Sequence, residues 1–264
     1  MNKSKQPPAS EGSDSDLVWE TLREPAQKVS QGDLFYFEDE QPHCRYGIVV
    51  TADCDLANRK HSRLVSLVPL LELDDLLVNC LYIDHLEKLS ETIALLLRKE
   101  LASDVSINDP AFKATVEAAL NEASEIPAEI AVAAEIFLER SDQIDNHTFQ
   151  ALLDRMNIPK SNVYKRFEQQ IKSRGDIVPL ARPPYSPHDA RIAWLRRVFQ
   201  VPIGKLMLRT SQYVPGSTQG QHVARLASPF RYRLTQQFSQ VFSDIGTPNV
   251  STEWIGTNLM ELVK

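Results

Sequence analysis

The chain has 264 residues, room for one large domain or two modest ones. Its 42% hydrophobic and 24% charged residues are ordinary for a globular protein. No apolar run reaches 18 residues and the first sixteen residues lack an apolar core, so neither a transmembrane helix nor a signal peptide is expected. Three irregularly spaced cysteines argue against a disulfide framework and fit a reducing cytoplasm.

The formal net charge of −6 hides a segregation. Residues 72–154 hold 18 acidic and 5 basic side chains, whereas residues 155–243 hold 15 basic and 3 acidic. Between Ala190 and Ser243 there is no Asp or Glu against eight Lys or Arg. Such a block either presents a cationic face to a polyanion or docks on the acidic block and is neutralised there.

In chain order, residues 1–16 are rich in Ser, Pro, Lys and Asp and read as a disordered tail. Leu17 to Val29 reads as a short helix interrupted at Pro25, with Trp19 and Leu22 as apolar contacts. Gly32 then opens a strand over Asp33 to Glu38, and the acidic run with Pro42 makes a hairpin loop. The β-branched runs Gly47 to Thr51 and Leu64 to Leu71 read as strands flanking a polar turn from Ala52 to Arg63.

Helical spacing follows. Leu86, Leu89, Ile93, Leu96 and Leu101 share one face of a helix over His85 to Leu101. Asp109-Pro110 is an N-cap signal for a helix to about Ala123, and Pro127 to Arg140, Asn146 to Met156 and Lys160 to Arg174 supply three more. Strand-like sequence resumes at Ile177 to Ala181, Ile192 to Val201 and His222 to Ala227. Ser228-Pro229 caps a last helix with Phe230, Leu234, Phe238, Val241 and Phe242 on its apolar face.

This order predicts an α+β fold: a small SH3-like β-barrel interrupted by a helical insertion, with a C-terminal helix. Residues 17–82 and 176–264 form the discontinuous barrel domain, its strands from 31–82 and 176–228, and 83–175 the inserted helical subdomain.

Several residues carry chemistry. Cys54 with His61 is a nucleophile–base pair in type, but Asp53 and Asp55 flank the thiol and oppose a thiolate, which favours a small buried cysteine at a strand end. His43, Cys44, Cys54 and His61 do not give the paired spacing of a zinc site, because adjacent residues on a strand face opposite ways. Asp53 and Asp55 lack a third carboxylate for magnesium, and no metal or cofactor is expected. Arg191, Arg196, Arg197, Lys205, Arg209, Arg225, Arg231 and Arg233 are interleaved with Trp194, Phe199, Tyr213, Phe230 and Tyr232. That pattern suits backbone tracking and base stacking on RNA or DNA.

The run Gly32-Asp33-Leu34-Phe35, then Arg45 leading a hydrophobic strand to Thr51, then Asn58 and Val68-Pro69-Leu70, resembles the MazF/PemK toxin barrel. The resemblance covers about residues 31–71, and Tyr46 and Leu71 depart from the family's Pro and Thr. The Thr51, Cys54, Asp55, Leu56 string is similar to one in uncharacterised bacterial proteins. The resemblance implies an SH3-like barrel and, in an endoribonuclease, Arg45 and Thr51 at the scissile phosphate. With the charge segregation it implies a bacterial cytoplasmic protein of the stress or phage-defence kind that engages nucleic acid or a protein partner. The alternatives are a metal-independent MazF-like endoribonuclease and a Cys54/His61 hydrolase or transferase.

Overall fold

The structure, a computed structural model, describes residues 18–20, 28–38, 41, 44–60, 62–122, 126–141, 143–184, 186, 188–212 and 219–243. It mixes helix and strand. Nine strands lie among the described residues: β1 (Trp19–Glu20), β2 (Asp33–Phe37), β3 (Tyr46–Val49), β4 (Leu64–Leu71), β5 (Ile177–Pro179), β6 (Ile192–Trp194), β7 (Phe199–Pro202), β8 (Leu206–Met207) and β9 (Gly220–Leu226). They form one sheet in the order β1-β9-β2-β3-β4-β6-β5, with β7 also on β4 and β8 also on β9. Every pairing is antiparallel except β8 with β9. The β segments on both sides of the helices therefore share one sheet.

Curvature follows from chain length. In a flat sheet β7 and β8 would stand five strand spacings apart, roughly 24 Å. They are joined by a single 3-10 turn, Ile203–Lys205, and the chain from Pro202 to Leu206 reaches at most about 14 Å. The sheet must curl, and it forms an antiparallel half barrel. The enclosed face packs Phe35, Phe37, Val49, Val65, Leu67 and Leu206, with Phe199, Val201 and Ile203 against them. Two glycines make room. A Cβ at Gly47 would come within 2.6 Å of the Phe199 ring, and one at Gly220 within 2.5 Å of Phe37.

The opposite face carries Leu34, Tyr46, Ile48, Val68, Leu70, Ala224 and Leu226 and is covered by the C-terminal helix through Leu234, Phe230, Phe238 and Val241. Helices α1 (Asp53–Ala57), α2 (Leu73–Leu76), α3 (Tyr82–Glu87), α4 (Ser90–Glu100), α5 (Pro110–Glu122), α6 (Ala128–Phe137), α7 (Asn146–Arg155), α8 (Lys160–Ser173) and α9 (Ser228–Ser243) complete the chain, with a π turn, Leu77–Leu81, between α2 and α3. Asp109 accepts from the Ala111 N–H at 2.9 Å and Asp145 from Thr148 at 3.0 Å, each satisfying an orphan donor of the first helical turn. The helices from α2 to α8 share a core with Leu71, Ile177 and Ile192, so their apolar interior runs on into the sheet edge.

A buried carboxylate ties β2 to β9. Asp33 has no exposed surface, accepts from Arg225 Nε at 2.6 Å and Nη2 at 3.2 Å, and lies 3.1 Å from His222 Nε2. The Ser30 N–H fills a further site at 2.7 Å. Next to Asp33, Gly32 has φ +86°, and the Arg231 stem lies within 2.9 Å of where a Cβ would stand.

Three expectations are corrected. Trp19–Glu20 is not helical but an edge strand on β9, because Trp19 is buried there and donates to the Ala181 carbonyl at 2.8 Å; Lys28 and Val29 are not helical either, and residues 17 and 21–27 of the expected first helix lie outside the described residues. The helices begin at Leu73 rather than at residue 83. In the stretch 73–81 the apolar residues are interrupted by Asp74, Asp75 and Asn79 and show no clear helical period, and its π turn buries Leu77, Cys80 and Leu81 together. The turn after β3 folds as α1 and leaves Cys54 exposed rather than buried. The residues 1–16, His43, His61 and Tyr213 lie outside the described residues.

Two outcomes are expected. Asp33→Ala leaves Arg225 buried beside no carboxylate and lowers unfolding stability by about 3 kcal/mol, measurable by urea titration. His85 is buried, packs against Phe149 and Phe167, and has no partner for Nε2. Burial, aided by Arg166 and Lys88, pushes its pKa below the ordinary value. The unfolded chain therefore takes the proton first, so His85's contribution to stability is complete above about pH 6.5 and is lost as pH falls further. The melting temperature falls in that window, and His85→Leu flattens that part of the profile.

Candidate nucleic-acid interface

The outer neighbour of β4 is interrupted. β6 pairs Ala193 with Leu70, and β7 pairs Phe199 with Leu67. Two residues of β4 thus face five of the outer strand, a bulge of three extra residues that contains Arg196 and Arg197. Bulges re-aim side chains and release them from the ladder. The Leu195 N–H donates to the Asp176 carbonyl at 2.8 Å and fixes the base of the bulge. Arg196 Nε donates to Asp176 Oδ2 at 2.8 Å while the Arg196 side chain stays 60% exposed. Arg197 lies over the Trp194 ring, 5.7 Å from its centroid. Both arginines are thus oriented by interactions that occupy one edge or face and leave donors facing outward.

Asp176 is the centre of this arrangement. It is 6% exposed at its side chain and also accepts both forks of Arg174, Nε at 2.9 Å and Nη2 at 2.8 Å. The Arg174 guanidinium holds its carboxyl well below the usual carboxylate range. Arg174 Nη1 reaches on to Asp84 at 3.4 Å and Cys80 Sγ at 3.7 Å, joining α3 and the π turn to the sheet. Beside these groups a groove of about 590 Å³ is lined by Gln170, Arg174, Asp176, Arg196, Gln237, Gln240 and Val241. Apart from the Asp176 carboxylate, which Arg174 and Arg196 answer, its polar walls are amides and guanidinium groups, donors suited to phosphate and sugar oxygens.

The other cations divide. Arg225 is committed to Asp33, Arg191 pairs with Asp189 at 2.6 Å, and Arg231 is 5.0 Å from the Tyr232 ring while its stem covers Gly32. Arg209, Arg233 and Lys205 are exposed. The acidic block is met from elsewhere: Arg155 pairs with Glu100 and Glu129, Lys160 with Asp154, and Arg174 with Asp84. Among the described ion pairs none joins residues 190–243 to residues 72–154. The docking alternative therefore holds for residues 155–174 and not for the arginine run after them.

Arg45 and Thr51 do not converge, and His61, the base expected for Cys54, lies outside the described residues. Arg45 and Thr51 stand at opposite ends of the extended β3 segment, six residues or about 20 Å apart. The Thr51 hydroxyl accepts from the Ser66 N–H at 2.8 Å and continues the β3–β4 ladder. Cys54 Sγ lies 3.7 Å from Asp55 Oδ1, so the group it touches is a carboxylate and not a cation. Asp53 is exposed and accepts from the Gln31 N–H at 2.8 Å, a structural tie of α1 to the segment before β2. Asp176 and Arg174 were missed by sequence reasoning; their near-adjacency at the end of a helix was the available signal. No protein-family model, curated protein or solved structure matches the chain.

Asp176→Asn should leave two guanidinium groups sharing a neutral amide. A loss of about 3 kcal/mol in unfolding stability at pH 7 is expected. The difference from wild type should shrink as pH falls through the depressed native pKa of Asp176, because wild type then loses the same charge. A gap that stays constant from pH 7 down to about pH 3, below the ordinary aspartate value at which the unfolded chain takes up the proton, would contradict this assignment.

Proposed function

We propose that this chain engages a nucleic-acid backbone through the bulge at Arg196 and Arg197 and the groove beside it. The observation that carries this reading is the pair of oriented arginines, held by Asp176 and Trp194 at the edge of a polar groove, in a stretch without acidic residues. Phosphate contacts from arginine supply most sequence-independent affinity, and oriented guanidinium groups lose less freedom on binding. The half barrel is read as an SH3-like small barrel. The Gly32-Asp33 and Val68-Pro69-Leu70 resemblance to MazF/PemK barrels would then put the protein among bacterial, cytoplasmic stress or phage-defence proteins. Strand cleavage is not part of the proposal, since Arg45 and Thr51 stand too far apart to meet at one phosphate.

Arg196→Gln combined with Arg197→Glu tests the reading without placing a second acid beside Asp176. Fluorescence anisotropy with single-stranded RNA and DNA oligomers, across about 50 to 200 mM salt, should show wild-type affinity falling steeply with salt. The double variant should bind more weakly, its log–log slope smaller by roughly 0.7 to 0.9 for each phosphate that it no longer neutralises. A variant that melts earlier yet binds RNA and DNA as wild type does would show that these arginines serve only the fold. Absence of salt-dependent binding by wild type would favour a protein partner instead, for which exposed Val198, next to Arg197 in the chain, is an available apolar group.

A further inference from the structure

A separate and larger cleft, about 850 Å³, lies where the inserted helices meet β6. Its apolar walls are Ile83, Leu86, Ile93, Ile136 and Phe137, with Trp194 from the sheet. The volume falls within the range of small-molecule sites, whose walls are characteristically apolar with a few polar groups that fix orientation. The charged groups here are all of one sign: Asp84, Glu87 and Glu139 line the cleft, and neither Lys nor Arg does. Asp84 is partly compensated by Arg174 at 3.4 Å. Glu87 and Glu139 are exposed and have no ion-pair partner among the described residues. The negative C-terminal end of α6 and the positive N-terminal end of α4 both border the cleft and offset one another, so the carboxylates set its sign.

The occupant must satisfy walls of two kinds. A hard divalent cation needs several oxygen ligands close together, and among the described residues no three His, Cys, Asp or Glu side chains are so grouped. An anion is repelled, and a neutral hydrocarbon leaves the carboxylates unanswered. We propose that the cleft binds a small organic ammonium ion with an apolar body, the body against Phe137 and Trp194 and the ammonium at Glu87 and Glu139. Trp194 also carries Arg197 over its ring, so an occupied cleft touches the same indole that orients the bulge. Asp84 adds a second connection, because an ammonium beside it competes with Arg174, which also holds Asp176.

The test uses three molecules of similar shape and different charge: 2-phenylethylammonium, 2-phenylethanol and phenylacetate. Isothermal titration calorimetry on the full chain, without nucleic acid, keeps the result independent of the backbone-binding proposal. The ammonium ion should bind saturably, about tenfold tighter than the alcohol, and phenylacetate should not bind. Glu87→Gln with Glu139→Gln should weaken the ammonium about tenfold and leave the alcohol unchanged. Ser90→Trp, which fills the cleft from an exposed helix position, should abolish both. Equal affinity for ammonium and alcohol in wild type, an undiminished ammonium affinity in the double Gln variant, or no saturable heat with the ammonium in the millimolar range would each overturn the assignment.

Discussion

The carboxylate of Asp176 is the constraint on which the arrangement of helices, sheet and candidate interface depends. It lies three residues past α8 and just before β5, and it is almost wholly removed from water. A buried carboxylate is tolerated only when cations and donors answer it closely. Arg174 answers with both forks, Arg196 with Nε, and the main chain of the same residue receives the Leu195 N–H. One residue therefore sets where the last inserted helix ends, where the sheet resumes and how the bulge is presented. Arg174 is shared with Asp84, which carries the same link back to α3 and the π turn.

Asp33 does for closure what Asp176 does for the insertion. The stretch from Ala190 to Ser243 contains no acid of its own, so every carboxylate that pairs with it comes from another part of the chain. Asp33 comes from the start of β2, Asp176 from the approach to β5, and Asp189 from the residue before that stretch. Each acid consumes a cation where two elements must be joined. What is left, the outward donors of Arg196 and Arg197 together with exposed Arg209 and Arg233, is a smaller cationic surface than the eight basic residues imply. Its placement on an interrupted strand makes it more specific than a diffuse patch.

Much of this was legible. The apolar, β-branched run of Leu64 to Leu71 marked β4, Asp109-Pro110 marked a helix start through cap chemistry, and the 3.6-residue stripe of Phe230, Leu234, Phe238 and Val241 marked α9. Local rules also separated the β segments from the helices between them. They failed where tertiary pairing decides the outcome. Ile192 to Val201 reads as one strand because Leu195 and Val198 have strand propensity, and only pairing to β4 shows that the five residues 194–198 leave the β4 ladder. Trp19 became a strand through an edge pairing two residues long. Cys54 stands exposed on α1, whose Leu56 packs toward the enclosed core while Asp53 accepts from the Gln31 N–H, a choice the turn sequence does not reveal.

Side-chain type alone pointed to an enzyme as readily as to a binding protein, and the placement of the described candidates bears on the two readings unequally. Transition-state stabilisation needs donors fixed within hydrogen-bond range of one reacting atom, and proton transfer needs an acid or base in that same small volume. Arg45 and Thr51 are divided by the length of a strand, and Thr51 already spends its oxygen on the sheet ladder. Cys54 touches a carboxylate. The arginines of the bulge differ in kind: Arg196 is held by the Asp176 carboxylate and Arg197 lies over the Trp194 ring. On the proposed reading such arginines would hold a phosphate, and cleavage would require a further group placed at that same phosphate.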